Sequence, residues 1–157
     1  MKKVNFVTLI LLLASIGCTP KPSVLPLAEL QALKGKPVLV HFWASWCPPC
    51  LPELPQIIEF AARVKAAGWT VLAVSTDSKP EAARAALPKG QALPENFKVI
   101  YDPESKAAEG FGSYVFPESY WISPDGQIRQ KWVGPQDWER IAESGALGAV
   151  FKPASKP

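Results

Sequence analysis

Two cysteines three positions apart, Cys47 and Cys50, lie in the run Trp46-Cys47-Pro48-Pro49-Cys50. A pair at this spacing can exchange electrons with a disulfide, supply half of a zinc site, or close a structural staple. Structural zinc takes four ligands, and beyond this pair the chain offers only the single histidine His41 and the distant Cys18, so no metal is expected. A staple across so small a loop constrains the unfolded chain little. Redox chemistry is what remains, and the surroundings favour it, because the motif sits where an apolar run of strand length gives way to a helical pattern. A thiol at the start of a helix meets unpaired backbone N–H groups and the positive end of the helix dipole, which lowers its pKa. Cys47 is then the nucleophile. Cys50, nearly one turn further on, is placed to resolve the mixed disulfide.

Those two residues need elements that hold them. Val38 to Trp43 is an almost unbroken apolar run, the pattern of a central strand buried on both faces. After Cys50, apolar residues at 54, 57, 58, 61 and 64 recur at helical spacing, and Gly68 stands where a C-cap belongs. Residues 70–76 form a second apolar strand, completing a βαβ unit with a right-handed crossover. Residues 27–33 predict a short helical turn. Further on, Asp77 or Ser78 is the expected cap of a helix with Pro80 in its first turn. Residues 88–96 read as a loop, 99–101 as a short strand and 104–111 as a helix. Residues 119–123 and 127–133 flank Pro124-Asp125-Gly126, a turn that joins two strands as a hairpin. Asp137 is the expected cap of a last helix over residues 138–144. The order predicts an α/β fold, with a mixed central sheet and helices on both faces.

The first residues read differently. Lys2 and Lys3 precede an apolar stretch over residues 4–16, and Ser15-Ile16-Gly17 precedes Cys18. This is the shape of an export signal, too short to span a bilayer core, which wants about 20 apolar residues. It resembles the lipoprotein type, with Cys18 as the lipidation site, although Ser15 departs from the aliphatic residue usual there; ordinary cleavage after Gly17 is the alternative. The expected organisation is a signal peptide over 1–17, a lipid-anchored, proline-containing tether over 18–26, one domain over 27–145 and a tail over 146–157. The 157 residues are 48% hydrophobic and 20% charged, enough for one core. The net charge of +3 includes Lys2 and Lys3; without residues 1–17 it is 15 basic minus 14 acidic, or +1. No basic cluster points to nucleic acid.

The segment from Leu33 through Pro37-Val38-Leu39-Val40-His41-Phe42-Trp43-Ala44-Ser45-Trp46-Cys47-Pro48-Pro49-Cys50, with Phe116-Pro117-Glu118-Ser119-Tyr120-Trp121-Ile122-Ser123-Pro124-Asp125-Gly126 downstream, resembles the thioredoxin superfamily. The likeness is to its exported, membrane-tethered bacterial branch typified by TlpA, ResA and CcmG, and it spans about residues 27 to 145. It implies a thioredoxin fold with four core strands and an extra βα insertion over residues 76–111. It implies a thiol-disulfide oxidoreductase outside the cytoplasm, at the periplasmic or other extracytoplasmic face of the membrane, acting as a reductase of protein disulfides. Such proteins often serve apocytochrome c in cytochrome c maturation, and a membrane electron donor of the DsbD or CcdA type recharges them. No cofactor beyond the redox-active disulfide is implied, and a monomer is expected.

Residue by residue, the resemblance makes Pro117 the family's cis-proline, leaving the backbone of Phe116 free to pair with a substrate strand, although cis is only about 5% of X-Pro bonds in general. Trp46, Pro48 and Pro49 join Phe116 as the substrate-binding surroundings. Glu53 matches an acidic residue three after the second cysteine, a spacing that shares a helix face with Cys50; it either exchanges the proton of Cys50 or is an exposed residue that merely favours the helix N-terminus. His41 departs from the branch, which commonly has Asn there. Alternation puts it on the face of Leu39 and Trp43, where it is either a proton shuttle or a core histidine with one hydrogen bond. Pro52 is awkward for a helix that starts at the cysteines. A copper-binding, metal-delivery module of the same fold is the competing function, since paired thiolates hold Cu(I), but relatives of that kind use a wider cysteine spacing and a late histidine. A peroxidase would place its reactive thiol differently.

Overall fold

The computed structural model describes residues 27–144; the expected signal, the tether with Cys18 and the tail lie outside the described residues. Five strands, β1 (Val38–Trp43), β2 (Thr70–Ser75), β3 (Phe97–Tyr101), β4 (Glu118–Ile122) and β5 (Ile128–Val133), form one sheet in the order β3-β2-β1-β4-β5. The pairs β1/β2 and β2/β3 are parallel, and β1/β4 and β4/β5 antiparallel. The inserted β3 therefore extends a four-stranded core at its edge, as expected. The helices are α1 (Ala28–Ala32), α2 (Leu54–Val64), α3 (Pro80–Ala86), α4 (Lys106–Phe111) and α5 (Trp138–Glu143). Among the described residues no helix is long and apolar enough to cross a membrane.

Burial explains why β1 is central. Every residue of it is buried, and alternation sends its side chains to two separate cores. Val38, Val40 and Phe42 pack with Leu30, Phe111 and Tyr120 on the face covered by α1 and α4. Leu39 and Trp43 pack with Leu54, Ile57, Trp69 and Trp138 on the face covered by α2 and α5. The apolar stripe of α2 is buried at Leu54, Ile57, Ile58, Ala61 and Val64. A short 3₁₀ turn (Lys65–Ala67) then ends at Gly68, whose φ of 77° is the left-handed conformation that glycine adopts without a Cβ penalty. In the hairpin the Gly126 N–H donates to the Ser123 carbonyl at 2.8 Å, and Asp137 caps α5 by accepting from the Arg140 N–H at 2.9 Å.

Most ranges agree with the sequence reading to within a residue at each end, and the differences with a physical cause are these. The regular turns of α2 begin at Leu54 rather than at the cysteines, because Pro52 and Pro55 carry no N–H for the first helical bonds. Helix α4 begins at Lys106 rather than 104: the Asp102 carbonyl accepts from Ser105 N at 2.9 Å and its carboxylate from Ala108 N at 3.0 Å, fixing a turn ahead of the helix. Strand β3 begins at Phe97, two residues early, where Val71 pairs with Phe97. Helix α3 has Lys79 as its N-cap with no side-chain cap bond, so neither Asp77 nor Ser78 caps it.

Phe42 ties the insertion to the sheet, its ring meeting Phe111 of α4 at 5.3 Å and Tyr120 of β4 at 5.9 Å, both edge-on. Phe42→Ala should lower unfolding free energy by about 3–5 kcal/mol, read by urea denaturation. A loss under about 1 kcal/mol would mean that this core collapses to fill the space.

Candidate active site

Strand β1 ends at Trp43, and the chain then makes two successive turns before α2. In the first, Cys47 N donates to the Ala44 carbonyl at 3.2 Å; in the second, Cys50 N donates to the Cys47 carbonyl at 3.0 Å. The Cys50 carbonyl next accepts from Glu53 N and Leu54 N, both at 3.2 Å. The Leu54 bond has helical i to i+4 connectivity, so helical bonding begins at Cys50 although the regular helix starts four residues on. The cysteines thus lie on proline-rich turns leading into α2, and the expectation of a thiol on the first turn of a regular helix is corrected accordingly. Pro48, Pro49, Pro52 and Pro55 have no N–H to donate, which is why this stretch winds by turns.

Cys47 and Cys50 form a disulfide with a Cα–Cα separation of 5.4 Å. Cys50 is fully buried, whereas Cys47 retains 4% exposure, so a sulfur arriving from solvent reaches Cys47 first. Around it the surface is apolar. Trp46 is 63% exposed, its ring 5.9 Å from that of Phe116, and Pro48 and Pro49 are exposed. The Phe116–Pro117 peptide is cis. Two contacts hold that loop to β5. The Pro117 carbonyl accepts from Gly134 N at 2.9 Å, and the buried Glu118 pairs with Lys131 at 3.0 Å while accepting from the Tyr120 hydroxyl at 3.0 Å.

Glu53 is 2% exposed, which removes the reading of a solvent-facing residue at the helix start. Its Oε1 accepts from Gln136 N at 3.1 Å and from Trp138 Nε1, and its Oε2 is buried without a partner among the described residues. Burial raises its pKa above the ordinary glutamate value, opposed by the hydrogen bonds from Trp138 and Gln136. His41 does lie on the face of Leu39 and Trp43. It is fully buried, its Nδ1 sits 2.9 Å from Ser119 Oγ, and burial lowers its pKa to about 3. Burial therefore favours the neutral imidazole, which makes one hydrogen bond, to Ser119, and keeps Nε2 without a partner among the described residues.

Sequence reasoning missed Trp138 as the partner of Glu53, Ser119 as the partner of His41, and Asp77, which reaches the cysteine loop. These contacts join residues 85, 78 and 32 positions apart, and no local spacing rule carries them. The only signal was composition: a buried strand with one histidine, and tryptophans late in the chain, each need polar partners.

The family described as Redoxin matches residues 22–150. The thiol:disulfide interchange protein CycY of Rhizobium leguminosarum bv. viciae is 36% identical over 134 residues, 85% of this chain and 68% of that protein. The thiol-disulfide oxidoreductase ResA of Bacillus cereus is 33% identical over 72% of this chain, which spans 64% of its length. Among solved structures, the exposed lipoprotein thioredoxin of Streptococcus pneumoniae superposes with a TM-score of 0.61 at 27% identity, covering 75% of this chain and 89% of that one.

The buried imidazole makes stability depend on acid. Unfolded His41 takes up a proton as pH falls through 6.5, while the folded protein refuses it until about 3. The unfolded state binds more protons in that window, so stability is full above it and declines as pH falls through it. His41→Asn, which keeps a hydrogen-bonding group opposite Ser119, should flatten the decline in urea denaturation across acidic pH. Equal slopes for the two proteins would contradict a neutral buried imidazole.

Proposed function

The chain belongs to the redoxin family, and on that premise we propose that it is a thiol-disulfide oxidoreductase that reduces disulfides of exported proteins through Cys47 and Cys50. The observation that carries this reading is the Cys47–Cys50 pair itself, closed at disulfide distance with only Cys47 reachable, beneath the exposed Trp46 and beside Phe116-Pro117. In the reduced protein the Cys47 thiolate attacks one sulfur of the substrate disulfide, forming a mixed disulfide and expelling the other sulfur as a thiolate, which takes a proton. Cys50, deprotonated, then attacks the Cys47 sulfur, closing the Cys47–Cys50 disulfide and releasing the second substrate thiol. Two electrons pass to the substrate.

Cys50 must lose its proton in a buried place, and Glu53 is the candidate acceptor. It follows Cys50 by one turn, its pKa is raised by burial, and one carboxylate oxygen lacks a partner among the described residues. The backbone of Phe116 is the proposed pairing edge for an extended substrate strand, with Trp46, Pro48 and Pro49 beside it. Export and lipidation at Cys18 are supported by the pattern of residues 1–18 and by the likeness to an exposed lipoprotein thioredoxin. The proposed substrates include apocytochrome c thiols, and a membrane donor of the DsbD or CcdA type is the proposed source of electrons.

Reduction of insulin disulfides by the pre-reduced protein tests the relay. Cys47→Ser should abolish reduction, and Cys50→Ser should accumulate a mixed disulfide through Cys47, visible by mass. Glu53→Gln should slow the resolving step by about a hundredfold while leaving the first attack on substrate within about twofold. No turnover by the wild type, or residual turnover in Cys47→Ser, would contradict the assignment.

A further inference from the structure

Asp77 follows β2 and is 2% exposed, yet its carboxylate does not serve the helix that comes next. It turns back across the sheet to Ser45, two residues before Cys47. The Ser45 N–H donates to Oδ2 at 2.9 Å and to Oδ1 at 3.2 Å, and the Ser45 hydroxyl donates to Oδ1 at 2.6 Å. The Ser75 hydroxyl completes the set by donating to Oδ2 at 2.7 Å while accepting from Asp77 N at 3.1 Å. Ser45 and Trp46 are the two corner residues of the turn that Cys47 N closes on the Ala44 carbonyl. One buried carboxylate therefore holds both polar groups of a corner residue of the turn that carries the nucleophile. Thr76 N adds a bond to the Trp43 carbonyl at 3.1 Å, joining the same two chain segments.

We propose that Asp77, acting through Ser45, is a positioning residue that keeps the Ala44–Cys47 turn in its disulfide-forming geometry after the disulfide has been reduced. The inference rests on the dithiol chemistry proposed above. In the oxidised protein the Cys47–Cys50 bond itself closes the loop. Once reduced, only non-covalent contacts keep the two sulfurs together, and any freedom the loop gains lowers their effective concentration for one another. Hydrogen bonds to a charged group are the stronger kind, and a clamp made of them withholds that freedom from the reduced form. It thereby favours the disulfide and makes the reduced protein the stronger reductant. Asp77 touches no reacting atom; it works through the backbone and hydroxyl of Ser45.

The test is the equilibrium of the full chain with glutathione, in which the Cys47–Cys50 disulfide and two glutathione thiols exchange for the dithiol and one glutathione disulfide. Acid quenching and mass analysis give the fraction oxidised. Asp77→Asn, with too few acceptor sites for all its donors, should lower the equilibrium constant for disulfide formation about tenfold, or about 30 mV for a two-electron couple. Ser45→Ala removes the hydroxyl arm without changing charge and should lower it about threefold, and Ser45→Thr should restore it. Ser75→Ala is the control. It strips the same carboxylate of a hydroxyl but leaves all three Ser45 bonds, so it should destabilise the fold and move the equilibrium less than twofold. A purely structural Asp77 predicts instead that Ser45→Ala and Ser75→Ala lower thermal stability while leaving the glutathione equilibrium unchanged, and that result overturns the proposal. Equal shifts from the two serine variants also overturn it. If Asp77→Asn does not fold, the serine variants decide. A wild type that never exchanges with glutathione removes the oxidoreductase reading itself, a failure distinct from a wild type that exchanges alongside unaltered variants.

Discussion

Strand β1 has no free side. It pairs with β2 along one edge and β4 along the other, and all six of its residues are buried between two layers of helix. A strand so enclosed cannot shift register without moving its apolar side chains between two cores. Whatever follows Trp43 therefore starts from a fixed point and leaves in a fixed direction. The Cys47–Cys50 loop is the first backbone beyond that anchorage, and the prolines within it keep the chain in turns until α2 can begin. The disulfide-bonded pair owes its place to the enclosure of the strand before it.

Several polar side chains are buried in this interior, among them His41 of β1, Glu53 just ahead of α2 and Asp77 just after β2. His41 meets Ser119, Glu53 meets Trp138 and Gln136, and Asp77 meets Ser45 and Ser75. Trp138 links two of these groups, donating to Glu53 while its ring lies edge-on to His41 at 6.4 Å. The three ionisable groups are treated differently. His41 is held neutral by burial with one partner. Glu53 is pushed toward its neutral form by burial and pulled back by two donors. Asp77 receives donors on both oxygens, so neither is left without a partner.

Much of this was legible in the chain. The buried strand, the amphipathic stripe from Leu54 to Val64, the Pro124-Asp125-Gly126 hairpin and the Asp137 cap all follow local rules of period, turn chemistry and capping, and each is where those rules put it. The cysteine spacing and its strand-to-helix setting were enough to mark the two residues that the structure joins as a disulfide. The start of α2 was harder, since Pro52 argued against an early helix while the motif argued for one. Asp77 shows the deeper limit. Next to Pro80 it has the credentials of a helix cap, and only the tertiary fold reveals that its carboxylate faces Ser45. The same holds for Glu53, whose burial depends on a tryptophan from the far end of the domain.

Of the two cysteines only Cys47 has any exposure, so it is the sulfur that an exchanging partner must meet first. Alkylation of the fully reduced protein across a range of pH, with the modified residue located by mass spectrometry, tests it most directly. Cys47 should be labelled first and Cys50 only afterwards. Labelling that begins at Cys50, or that proceeds equally at both, would contradict it.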